Sequence, residues 1–90
     1  MKAIFNGVVV AESSDTVVMD GNHYFPKASV RTDLLTFSNH RSRSSYGEEQ
    51  WQSLFVNGDL LPDALWSYPD PSLDSLRDRV AFVRAVKIED

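Results

Sequence analysis

Ninety residues, 42% hydrophobic and 24% charged, describe one ordinary globular domain (1–90) rather than a disordered or fibrous chain. Cysteine is absent, which removes disulfide frameworks, thiolate metal sites and thiol nucleophiles. A net charge of -4 with a pI near 5.0 argues against nucleic acid as a partner, because phosphate backbones are met by a basic face.

The chain opens with Ala3-Ile4-Phe5 and Val8-Val9-Val10-Ala11 on either side of Asn6-Gly7. Asn-Gly between apolar runs is the strongest short hairpin signal, because both turn positions need positive φ. The opening run is too short for a signal-peptide core, and no apolar run nears the roughly 20 residues that cross a bilayer. A cytoplasmic, reducing location with no membrane partner is therefore expected. Thr16-Val17-Val18-Met19 reads as a short strand closed by Asp20-Gly21, and His23-Tyr24-Phe25 as another that stops at Pro26. Ser29 is placed to cap a helical turn with Val30 and Leu34 on one side.

From Thr36 to Gln50 the sequence is polar, small and locally basic, and reads as a long loop joining two halves, about 1–37 and 51–90. The β pattern resumes at Trp51–Val56, turns at Asn57-Gly58 and continues to Tyr68, with Pro62 marking a break or an edge. Ser72–Arg77 has the features of a second short helix: a serine cap, an early aspartate, and leucines at i and i+3. Arg79–Glu89 alternates like one strand, with Arg84 on the face of Val80, Phe82, Val86 and Ile88. Arg84 is then either re-aimed by a bulge or partly buried beside a carboxylate or a cleft.

One pattern occurs twice. Gly21-Asn22-His23-Tyr24-Phe25-Pro26 is echoed by Trp66-Ser67-Tyr68-Pro69: ring, any residue, ring, proline, two residues, serine, branched aliphatic. Each copy ends a strand, so Tyr24 or Phe25 is expected near Trp66 or Tyr68. The motifs Asn6-Gly7-x-Val9-x-Ala11-Glu12-Ser13, Gly21 to Pro26, Trp66-Ser67-Tyr68-Pro69-x-Pro71 and Val80-Ala81-Phe82 resemble the domain-of-unknown-function 427 family over nearly the whole chain. The resemblance implies a β-tent-like architecture, two small antiparallel sheets meeting at an angle around a cleft, and brings a nucleotidyltransferase-like label. Such proteins carry Cys-Pro-aromatic-Lys-Gly in the middle loop; here Arg43-Ser44-Ser45-Tyr46-Gly47 takes that place, without thiol or amine. β-tent relatives hold zinc with cysteines, so no metal is expected in this chain, and no cofactor.

The fold expected is mainly β: antiparallel sheets in a β-tent-like arrangement with one or two short helices. Asn22, His23, Tyr24, Arg43, Tyr46, Trp66 and Tyr68 form the candidate ligand-binding set, since flat rings with polar tips suit a small organic molecule. Core packing is the competing role for the aromatic members, and turn formation for Asn22 and His23. Glu12 and Arg84 are candidates for acid/base work or for a structural ion pair, with Arg31 as another partner for Glu12. The leading function is a non-catalytic module with an aromatic cleft for a small molecule. An enzyme on a phosphorylated or nucleotide-like substrate is the second reading, with Arg41 and Arg43 on the phosphate and Glu12 or His40 as acid/base. A homodimer formed through a strand edge is the third.

Overall fold

Three two-residue turns set the framework, each an Asn or Asp followed by glycine with both φ angles positive: Asn6-Gly7, Asp20-Gly21 and Asn57-Gly58. Such turns match the right-handed twist of the strands they join, so each produces a tight antiparallel hairpin. The computed structural model describes all of residues 1–90. The strands are β1 (Lys2–Phe5), β2 (Val8–Glu12), β3 (Val17–Met19), β4 (Asn22–Pro26), β5 (Leu35–Ser44), β6 (Gly47–Val56), β7 (Asp59–Ser67), β8 (Arg79–Phe82) and β9 (Lys87–Glu89). They form two sheets, a three-stranded one in the order β2-β1-β9 and a six-stranded one in the order β3-β4-β8-β7-β6-β5. Every pairing is antiparallel. The expected mainly β, two-sheet architecture is what the chain adopts.

The main core lies between the sheets. Phe25, Leu54, Leu65, Val80 and Phe82 from the large sheet meet Ala3, Val10 and Ala11 from the small one. Phe25 and Phe82 pack edge to face, 5.7 Å between ring centres. A second, smaller core of Tyr24, Tyr68, Leu76 and Ala81 covers the outer face of the large sheet. At one end of the molecule two of the tight turns are tied together, since the Asn6 amide donates to the Val56 carbonyl (3.1 Å) and to the Asp59 carboxylate (2.8 Å). The best-formed ion pair joins β8 to the Ser13–Asp15 corner: the Arg79 guanidinium reaches both Asp15 carboxylate oxygens (3.1 and 3.2 Å) and its carbonyl (2.7 Å).

The echoed motifs end the two strands that flank β8. Because β4 and β7 are both antiparallel to β8, they run in the same direction and their prolines leave the sheet at the same end. Tyr24 accordingly lies edge-on to Trp66 at 6.3 Å and beside Tyr68 at 6.4 Å, the proximity the sequence predicts. Pro62 sits in an irregularity of β7, where the pairing jumps from Leu54↔Leu61 to Gln52↔Leu65. Strand β5 is bulged at the same level, between Phe37 and Arg41. The two bulges are stitched across β6 by the Ser38 hydroxyl donating to Asp63 and the Asp63 amide donating to the Ser53 hydroxyl (3.0 Å).

Four expectations are corrected. The polar stretch from Thr36 to Gln50 is no loop but most of the long β5–β6 hairpin. Ser42 bonds to Glu49 across the hairpin, and Ser38 and Ser44 bond to Asp63 and Tyr68 beyond it, so tertiary pairing overrides weak β propensity. Ser29 caps no helix; its hydroxyl donates back to the Pro26 carbonyl (2.7 Å), and the segment forms two separate 3₁₀ turns, Lys27–Ser29 and Thr32–Leu34. Ser72–Arg77 shrinks to a single 3₁₀ turn, Asp74–Leu76, because Leu76 is buried while Leu73 stays exposed and no longer apolar face exists to dock. Arg79–Glu89 is two strands in different sheets: the Val83 amide donates to the Ala64 carbonyl (2.9 Å) and the Val86 amide to the Val83 carbonyl (3.0 Å), turning the chain between them.

That last turn settles Arg84, which is exposed at its tip rather than on an apolar strand face. Glu12 is exposed as well. A bulge in β2 lets both Val10 and Ala11 face inward, resetting the alternation that would have carried Glu12 with the valines. Neither Arg84 nor Arg31 pairs with it, and Arg31 is engaged by Asp33 at 2.8 Å.

Candidate functional site

The outer face of the large sheet carries a continuous run of rings. Tyr46, Tyr68, Tyr24, Trp66, Trp51 and His40 follow one another at centre-to-centre distances between 5.2 and 6.4 Å. The ladder explains it: Trp51 pairs directly with Trp66, Trp66 with Ala81, and Tyr68 lies two residues beyond Trp66 on the same side. A polar network edges the run. The Tyr68 hydroxyl donates to Glu49 (2.8 Å), the Ser42 hydroxyl donates to the other Glu49 oxygen, and the Trp51 indole donates to Ser42 (2.9 Å). Burial is the first reason the Tyr68 phenol is held far above its ordinary value, with the bond to Glu49 adding to it. The Tyr46 phenol is raised chiefly by its hydrogen bond to Asp20 (2.6 Å).

These rings pack on one another rather than around a void. Tyr24 and Tyr68 are 2% and 3% exposed, and Leu76 closes the layer from outside. Gly47 secures the hairpin end: its φ of +127° is open to glycine, and a Cβ there would stand 3.1 Å from the Asp70 carbonyl oxygen. Of the candidate ligand-binding residues, the structure brings Tyr24, Tyr46, Trp66 and Tyr68 together here. Arg43 is excluded from the group by strand alternation, for Ser42 and Ser44 bond to the ring face while Arg41 and Arg43 alternate with them on the other side. Arg43 makes only a long contact with Glu48 (3.9 Å).

The larger concavity, about 570 Å³, lies on the opposite face of the same strands. Its floor is Leu65, Ser67 and Val80 with Gln50 and Gln52, residues that share one face by the pairings Gln50↔Ser67, Gln52↔Leu65 and Ser67↔Val80. One wall is the segment carrying Lys27 and Val30, the other the start of β5 with Leu35 and Phe37. Phe37 projects at the rim, 83% exposed. The only ionisable side chain in the lining is Lys27, which has no carboxylate partner. None of Asn22, His23, Tyr24, Arg43, Tyr46, Trp66 and Tyr68 lines this groove, although Trp51 borders it as well as the ring run. Asn22, His23 and Arg84 instead line a second cleft of about 550 Å³ between the β3–β4 turn and the β8–β9 turn.

The groove residues Lys27, Gln50, Gln52 and Ser67 escape sequence reasoning because Gln50 falls in the stretch read as a loop and the other three lie far apart in the chain. A signal existed: Gln50-Trp51-Gln52 and Trp66-Ser67-Tyr68 both alternate ring and small polar residue, so each ring-bearing face has a polar reverse. The chain belongs to the family described as domain of unknown function (DUF427), whose profile matches residues 1–90. No curated protein matches the sequence. No helix is long and apolar enough to cross a membrane.

Proposed function

We propose that this protein is a non-catalytic binding module that holds a small molecule in the groove over Leu65, Ser67 and Val80. The carrying observation is the polar set Gln50, Gln52 and Ser67, arranged around an apolar floor with Lys27 at one wall. None of these side chains is engaged by an ion pair or side-chain hydrogen bond within the chain, so their donors and acceptors are free for a ligand. The volume suits a small organic molecule, and such sites combine apolar walls with a few convergent polar groups. The matching ligand has a flat apolar body, amide-bonding edges and one anionic end for Lys27. The absence of His, Asp and Glu from the lining supports binding rather than acid/base chemistry. Lack of cysteine fits work in a reducing, cytoplasmic setting.

Indole-3-carboxylate and its uncharged amide are suitable probes, followed by amide chemical shifts. The carboxylate should move Lys27, Gln50, Gln52 and Ser67 signals, the amide less, and Lys27→Ala should erase that difference. Unmoved groove signals with both probes would remove the reading. The homodimer reading keeps one structural motive, since β5 is an open edge that carries the exposed Phe37. Sedimentation across a wide concentration range decides it, and a constant monomer mass would end it.

A further inference from the structure

We propose that the cleft between the β3–β4 and β8–β9 turns is a separate binding site for a phosphate group, free or carried as a monoester. Three donors of different origin meet there: His23 on β4, Arg84 on the Val83–Val86 turn and Lys87 on β9. They come from both sheets, so only the folded chain assembles them.

The histidine shows which atom is offered. His23 Nδ1 is buried and has no hydrogen-bond partner, which leaves Nε2 as the ring's polar atom toward the cleft. A buried N–H without an acceptor is costlier than a buried lone pair, so the neutral ring carries its proton on Nε2 and presents it as a donor. Arg84 stands on a turn whose backbone is pinned at Val83 to Ala64 and closed at Val86, so the position of its stem is set before any ligand arrives. It has no carboxylate partner. Lys87 has only an exposed contact with Glu89 at 3.3 Å, one that solvent screens and that a doubly charged ligand displaces. The opposing carboxylate in the lining, Asp20, accepts a hydrogen bond from the Tyr46 hydroxyl at 2.6 Å, which directs it toward the aromatic face. Asn22 adds a neutral amide. A guanidinium, an ammonium and two neutral donors match the three oxygens and the charge of a phosphate better than a single carboxylate.

The test is an amide-shift titration with inorganic phosphate and, separately, phenyl phosphate, against sodium chloride at matched ionic strength. Wild type should shift at Gly21–Tyr24 and Val83–Ile88 with phosphate but not with chloride, with Kd on the order of 1 mM, as expected for a few partly exposed charges. Tighter binding of phenyl phosphate identifies a monoester as the ligand form, and equal binding identifies the free ion. Arg84 is exposed, so Arg84→Ala should fold normally and weaken binding roughly fivefold. Gln52→Ala, in the other groove, should leave phosphate binding unchanged, which separates this site from the first. Shifts reproduced by chloride, or a loss of less than about twofold in Arg84→Ala, would overturn the proposal.

Discussion

The two faces of the large sheet are made by the same strands and differ in what each does with its polar atoms. On the outer face, Glu49, Ser42, Ser44 and Tyr68 spend their hydrogen-bonding capacity on one another and on Trp51, and the rings fill the remaining space. On the inner face, one residue along each strand, Gln50, Gln52 and Ser67 border a groove and are left unpaired. Aromatic richness therefore marks the face whose carboxylate and hydroxyl groups are paired, with the Trp66 indole N–H its one buried group lacking an acceptor, while the face with more unpaired polar side chains is the one with fewer rings. A buried polar network that is complete rigidifies a fold, and one that is open is where a ligand can contribute the missing partners.

Tyr24→Ala should test that contrast most severely. The side chain touches both Trp66 and Tyr68, and its removal should cost about 3–5 kcal/mol, read by denaturant unfolding. A loss under about 1 kcal/mol would mean the rings are loosely held and the outer face is itself a site. Gly47→Ala comes next, at about 1–3 kcal/mol, because the new Cβ meets the Asp70 carbonyl from a backbone geometry few residues adopt. An unchanged midpoint would show that the Pro69–Pro71 segment is not packed on the hairpin.

Tyr68→Phe sharpens the comparison through pH. At neutral pH it should cost about 1 kcal/mol, the worth of the bond to Glu49. The folded phenol is raised above the ordinary value of 10.0, so its contribution is complete below pH 10.0 and is lost as pH rises from there toward the folded value. The variant lacks that loss, and the stability gap between the two proteins should close at alkaline pH; a constant gap would place the Tyr68 hydroxyl in water. Gln52→Ala should have the smallest effect on stability, within about 0.5 kcal/mol, yet abolish the response to indole-3-carboxylate. A large stability loss there would make the groove a structural seam.

The turns and the paired motifs were legible because their signals are local. Asn-Gly demands positive φ wherever it occurs, and Pro26 and Pro69 end strands by lacking a donor. The β5–β6 hairpin was not, because Ser42 and Ser44 look like loop residues until Glu49 and Tyr68 stand opposite them. Arg84 misled for a related reason: alternation continues through Val83–Val86 in the sequence, although the backbone turns there to reach the other sheet.

Composition and local pattern alone determined a mainly β chain, the places where it must turn, and which rings would meet at the ends of β4 and β7. Side-chain period on a strand also divides residues into two sets without folding. Which set faces a core, a network or a groove was decided only by tertiary structure. The register of β6 against β7 puts Gln50 beside Ser67, the bulges in β5 and β7 reset the neighbours, and the Val83 turn brings Arg84 to the cleft that His23 lines. Those are choices between strands far apart in the chain, and a period of two is the same for either face.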